Sequence, residues 1–146
     1  STSKSSLNKK DNRDEIISCL GGELKQNQGG VFFKQRQNYE IQYQHGIHPL
    51  ARIKRLQSDK FKYIFGNKSI NSNLGESDLD YKNFLFIDTE TTGLAGGTGT
   101  VPFMVGLGYF TGDQFVVEQL LMRDFDEELA LLEELKEIMK QYPVVW

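Results

Sequence analysis

The chain of 146 residues holds one cysteine, Cys19. An internal disulfide and a cysteine-built metal cage are thereby excluded. Basic residues do not prevail: 17 Lys and Arg stand against 20 Asp and Glu, a net charge of −3. Attraction to polyanions through bulk positive charge is therefore not indicated. No apolar run comes near the roughly 18 residues that a membrane span requires. The first residues, Ser1-Thr2-Ser3-Lys4, lead into polar sequence and not into an apolar signal core. There is no internal repeat and no Gly-Lys-Ser/Thr phosphate loop. A soluble protein of the reducing cytoplasm, with no membrane partner, is the expectation, and the length suits one domain with a core.

What is present is unevenly distributed. Residues 1–15 are rich in Ser, Lys, Asn and Asp, a composition expected to be disordered. Residues 16–30 carry one short apolar group (Ile16, Ile17, Cys19, Leu20) and two glycine pairs, and read as linker. Val31-Phe32-Phe33 and Tyr39-Glu40-Ile41-Gln42-Tyr43 read as two short strands with a turn at Gln37-Asn38. Leu50, Ile53 and Leu56 have helical spacing after Pro49, and residues 66–80 are a polar loop.

The pattern then changes. A buried strand is predicted over 83–88 and a Gly/Thr loop over 89–100. Strands Val101–Phe110 and Gln114–Met122 make a hairpin about Thr111-Gly112-Asp113. A helix starts at Asp124, where Asp124 and Glu127 have capping-box spacing. Leu129, Leu132, Leu135, Ile138 and Met139 predict its buried stripe. Pro143 ends it, and Val144-Val145-Trp146 begins another strand. The order from residue 83 is β-β-β-α-β.

The most specific stretch is Phe84-Leu85-Phe86-Ile87-Asp88-Thr89-Glu90-Thr91-Thr92-Gly93. Apolar residues lead into Asp-x-Glu, and two carboxylates one residue apart on a strand point to the same face. At a strand end such a pair can converge on a hard divalent cation, which prefers oxygen ligands. A two-metal site for phosphodiester cleavage starts in this way. The plain alternative is a carboxylate pair that caps a loop or pairs with lysine.

Asp88-Thr89-Glu90-Thr91-Thr92-Gly93-Leu94 resembles the first motif of the DnaQ-like (DEDD) 3′–5′ exonucleases of the ribonuclease-H-like superfamily. Ala95-Gly96-Gly97-Thr98-Gly99-Thr100 and Phe103-Met104-Val105-Gly106-Leu107-Gly108 are similar to a narrower group, the bacterial YprB-like ribonuclease-H-like proteins. The resemblance covers about residues 29–146 and implies an α/β fold with a mixed sheet in the order already read. It also implies that Asp88 and Glu90 are catalytic and hold Mg²⁺ or Mn²⁺, Asp88 between two metals and Glu90 on the nucleophile side. Thr91, Thr92, Gly93 and Leu94 would lie beside the terminal nucleotide of single-stranded DNA or RNA. On this view residues 1–28 are a disordered or linker-like segment and 29–80 a small extension with short strands and a helix. Residues 81–146 are the first part of the ribonuclease-H-like domain, cut in its fourth strand.

Two departures matter. Val105-Gly106-Leu107-Gly108 stands where proofreading members carry a Glu-Ile-Gly-like stretch, so a proofreading role is not implied. The family's later aspartates, and the His or Tyr base beside them, have no counterpart up to Trp146. The expectation is a metal-dependent nuclease, inactive as this chain alone. The alternative is a non-catalytic nucleic-acid-binding or scaffolding domain of the same fold. Other features read more plainly. Gly96-Gly97-Thr98-Gly99-Thr100 is a loop or a substrate contact, and Gly106-x-Gly108 marks close backbone packing. His45 and His48 lack the partners of a zinc site. Lys54, Arg55, Lys60 and Lys62, interleaved with Phe61 and Tyr63, form a solvated face or touch a nucleic-acid backbone.

Overall fold

The computed structural model describes residue 15 and residues 17–55, 80–91 and 102–146. Strands β1 (Glu23–Asn27) and β2 (Gly30–Glu40) form an antiparallel hairpin, with Glu23 opposite Lys34 and Asn27 opposite Gly30. Short strands β3 (Gln44–His45) and β4 (His48–Pro49) pair with each other about Gly46, whose φ of +59° favours glycine. A 3₁₀ turn follows over Leu50–Arg55. A second one, Tyr81–Asn83, is capped by the Asp80 carboxylate, which accepts from the Lys82 amide at 2.9 Å. It feeds β5 (Phe84–Thr91). Strands β6 (Pro102–Thr111) and β7 (Gln114–Leu121) follow, then helix α1 (Glu128–Met139) and β8 (Val144–Val145).

Six of these strands make one sheet in the order β1-β2-β7-β6-β5-β8. It is mixed, because β1 pairs β2 antiparallel and β5 pairs β8 parallel. A parallel pair cannot close through a hairpin, and β6, β7 and α1 intervene between β5 and β8.

The elements fall into two compact units. The first comprises Ser1–Arg36, Thr89–Gly106 and Glu118–Lys136. Phe32, Phe33, Val105, Leu120 and Leu131 are buried in it, and so is the carboxylate of Glu118. A buried charge persists only when paired. Lys34 of β2 lies 2.9 Å from Glu118 and 3.0 Å from Glu134 of α1, and Arg36 lies 3.5 Å from Glu118. Burial of the Lys34 ammonium opposes its charged form. The hydrogen bonds and charges of Glu118 and Glu134 outweigh that and hold Lys34 above its ordinary 10.5.

The β1–β2 turn docks on α1. Asn27 Nδ2 donates to the Ala130 carbonyl at 2.9 Å, and Asn27 Oδ1 accepts from the Gly29 amide at 2.9 Å. A Cβ on Gly29 would come within 2.8 Å of the Ala130 nitrogen and the Leu129 carbonyl carbon. Before α1, Asp124 caps a 3₁₀ turn, Phe125–Glu127, by accepting from the Phe125 amide at 2.9 Å. Glu127 does not close the expected capping box. Its carboxylate instead accepts from the Arg123 amide at 2.9 Å and Nε at 3.1 Å, and from Nη2. Both side chains are buried, 3% and 4% exposed.

The second unit comprises Gln37–Asp88, Leu107–Val117 and Glu137–Trp146. Phe84, Leu85, Leu107, Val116 and Val144 are buried in it. Phe84 and Leu85 stand opposite Val144 and Val145, and the ladder continues as Trp146 donates to Leu85 (2.8 Å) and Ile87 to Trp146 (2.7 Å). Tyr109 packs on Tyr142 with ring centroids 5.5 Å apart.

Several expectations need correction. Residues 23–27, read as linker, are a paired strand, and residues 17–20 are helical. The strand expected at 31–33 runs on through Gln37-Asn38 to Glu40 as one continuous β2, and residues 41–43 of the second expected strand are instead a turn, where the Tyr43 amide donates to the Glu40 carbonyl at 2.8 Å. The helix expected after Pro49 is a 3₁₀ turn as far as Arg55. The α1 stripe is also shifted. Ala130, Leu131 and Ile138 are buried, whereas Leu129, Leu132 and Met139 are 59%, 40% and 38% exposed. At Ala130 the helix meets the β1–β2 turn, where Gly29 packs on the backbone of Leu129 and Ala130. The expectations for residues 1–14, 56–79 and 92–101 lie outside the described residues.

Three outcomes are expected in urea unfolding. Gly29→Ala destabilises by about 1–3 kcal/mol, as overpacking does. Glu127→Ala costs about 3–5 kcal/mol by leaving the buried Arg123 unpaired, and Glu127→Gln costs less. Because Lys34 is raised, its contribution is full below its unfolded value of 10.5 and is lost as pH climbs through the folded value. The stability gap between the protein and Lys34→Met should therefore be constant at neutral pH and shrink above 10.5.

Candidate active site

Strand β5 passes from core to solvent along its length. Phe84 and Leu85 are buried, Phe86 and Ile87 half-buried, and Asp88, Thr89, Glu90 and Thr91 exposed. Alternation puts Phe84, Phe86, Asp88 and Glu90 on one face. The Cα atoms of Asp88 and Glu90 are then about 7 Å apart along the strand. The stem below them is held by the β8 ladder, so the carboxylates project from a fixed base and not from a free loop.

Of the residues expected to touch substrate, Thr91 is the exposed last residue of β5, and Thr92, Gly93 and Leu94 lie outside the described residues. Two exposed carboxylates suit Mg²⁺ or Mn²⁺ by donor type. Among the described residues no group of three or more His, Cys, Asp and Glu is placed to hold a metal. The donors therefore fit the ion chemically but supply only part of a coordination shell.

A second feature shares the Asp88 face and was not foreseen. Tyr39, Tyr43, His45, Leu50, Phe115 and Val117 line an open pocket of about 370 Å³. The Tyr39 and Tyr43 rings are 4.6 Å apart at 54°. Phe115 also meets Phe86 edge-on at 6.4 Å and Phe110 at 4.8 Å. Gly108 permits this, since a Cβ there would lie 2.7 Å from the Phe115 ring. The close packing expected at Gly106-x-Gly108 is thus found at Gly108. The alternation of Tyr39, Ile41 and Tyr43 announces a strand and Leu50 a helix, but no local signal says that they meet Phe115.

Around the pocket, Lys54 bonds Asp113 at 2.7 Å. The hydrogen bond from Lys54, then its charge, holds Asp113 below the ordinary carboxylate value, and the same bond raises Lys54. Arg52 bonds His48 Nδ1. His45 and His48 are cross-strand neighbours in the β3–β4 ladder.

Residues 85–146, which include both carboxylates, match the family model described as the RNase H superfamily. Over 93 residues the chain is 27% identical to an uncharacterized protein, YprB, of Bacillus subtilis (strain 168), across 64% of this chain and 21% of that protein. Residues 85–146 are thus similar to an RNase H-like domain, and the chain is similar to YprB. The mixed sheet with antiparallel and parallel pairs fits that fold. The chain spans about a fifth of the length of the relative it matches. The superfamily suggests nuclease-type chemistry for these residues. No described helix is long and apolar enough to cross a membrane.

Proposed function

We propose that the chain is part of a metal-dependent nuclease that hydrolyses phosphodiester bonds of DNA or RNA, working as a 3′–5′ exonuclease on a single-stranded end. The observation that carries this reading is the exposed Asp88 and Glu90 pair, on one face of a strand with a buried stem, within the residues that match the RNase H superfamily. The two carboxylates would hold Mg²⁺ or Mn²⁺, together with further oxygen ligands that complete the shell. When bound, such ions supply water activation and neutralisation of charge at the scissile phosphate. Asp88 and Glu90 contribute negative charge and oxygen donors from a fixed base, which limits the reorganisation needed on loading. Thr91, with Thr92, Gly93 and Leu94 after it, would lie beside the terminal nucleotide.

Titration of the 146-residue chain with Mn²⁺, followed by the electron paramagnetic resonance of the free ion, tests the assignment. Weak binding is expected, with Kd on the order of millimolar for so few ligands, and Asp88→Asn or Glu90→Gln should abolish it. Mn²⁺ binding unchanged by both substitutions would overturn the assignment. A labelled single-stranded oligonucleotide should stay intact with the chain alone. Cleavage lost in Asp88→Asn would show that the chain itself completes the shell.

A further inference from the structure

We propose that the pocket of Tyr39, Tyr43 and Phe115 stacks a base of single-stranded nucleic acid, while the turn Leu50–Arg55 beside it contacts the backbone phosphates. Three aromatic rings line the pocket, and Tyr43 is 45% exposed, so ring surface is open to a flat ligand. Base stacking on aromatic side chains is tolerant of sequence, because every base offers a π-face.

The second observation is charge. The turn carries Arg52, Lys54 and Arg55 and no acid, and its first residue, Leu50, is part of the pocket wall. Lys54 is steadied by Asp113, and Arg52 by His48. Among the described residues no carboxylate lines the pocket itself. An aromatic floor with cations along one side matches the two chemistries of a nucleotide, a base and a phosphate. An apolar peptide would use the floor but has no need of the cations.

The third observation is position. Phe115 in the pocket wall touches Phe86, and Phe86 is two residues before Asp88 on the same strand face. A strand with one phosphate at Asp88 can therefore place another of its bases in the pocket, within the roughly 4–16 nucleotides that single-strand grooves engage. The inference deepens the nuclease reading by naming how substrate is held, but stacking itself requires no metal.

Fluorescence anisotropy of a labelled oligothymidylate of roughly 12 nucleotides, in EDTA, tests it with the full chain. Binding is expected, with Tyr43→Ala weakening it about 5- to 100-fold and Tyr43→Phe keeping it. Replacing Arg52 and Arg55 together by alanine should lower the salt slope by about 1.4, and a duplex of the same length should compete poorly. Absence of single-strand binding, equal binding by Tyr43→Ala, or equal competition by duplex would each overturn the proposal. If Tyr43 governs binding while Mn²⁺ ignores Asp88 and Glu90, the pocket stands and the metal-site assignment falls. If Mn²⁺ binding depends on those carboxylates but Tyr43→Ala binds the oligonucleotide normally, the pocket falls alone.

Discussion

A β-strand has only two faces, and β5 gives one of them to both phenyl rings and exposed carboxylates. Phe84 and Phe86 share a face with Asp88 and Glu90, so any change that turns the carboxylates also turns the phenyl rings. Those rings are held: Phe84 and Phe86 stack at 6.2 Å, and Phe86 meets Phe115. Gly108 leaves the space for that contact. The direction of the carboxylates is thus set by apolar packing several residues away.

The other half of the structure is aligned by buried charge. Lys34 joins β2 to Glu118 on β7 and Glu134 on α1. Ion pairs out of water add little net stability, yet they penalise every arrangement that separates them. A slip of β2 by one residue would leave Glu118 buried without its lysine, so the cluster selects the register and the side of α1 that faces inward.

Local periodicity made much of this readable. The Asp-x-Glu strand, the β6–β7 hairpin and the helix before β8 each depend on neighbours within a few residues, and they appear close to where the sequence places them. Glu23–Asn27 was not readable, because its only apolar residue, Leu24, remains 43% exposed and the segment is a strand by virtue of pairing with β2. The buried side of α1 was misread for a related reason. Leucine outranks alanine in any hydrophobic pattern, but it is Ala130 that the Asn27–Gly29 turn covers, through the Asn27 bond to its carbonyl and the close approach of Gly29. The carboxylate pair was visible because its chemistry sits on one strand. The aromatic pocket was not, because its walls come from two stretches far apart in the sequence, residues 39–50 and 115–117.

Net charge misleads here for the same reason that composition does. The value of −3 counts each carboxylate once, wherever it sits. Glu118 and Glu127 are buried against basic partners, and Glu134 reaches Lys34. Such pairs withdraw acids and bases together, so the excess is unchanged and the total says nothing of where the remaining charges sit. The turn Leu50–Arg55 instead concentrates three cations over six residues. What a polyanion meets at that turn is the local arrangement within about one Debye length, roughly 8 Å in physiological salt. A weakly acidic chain can thus offer a cationic edge beside an aromatic floor, and the sign of its total charge does not decide against a nucleic-acid partner.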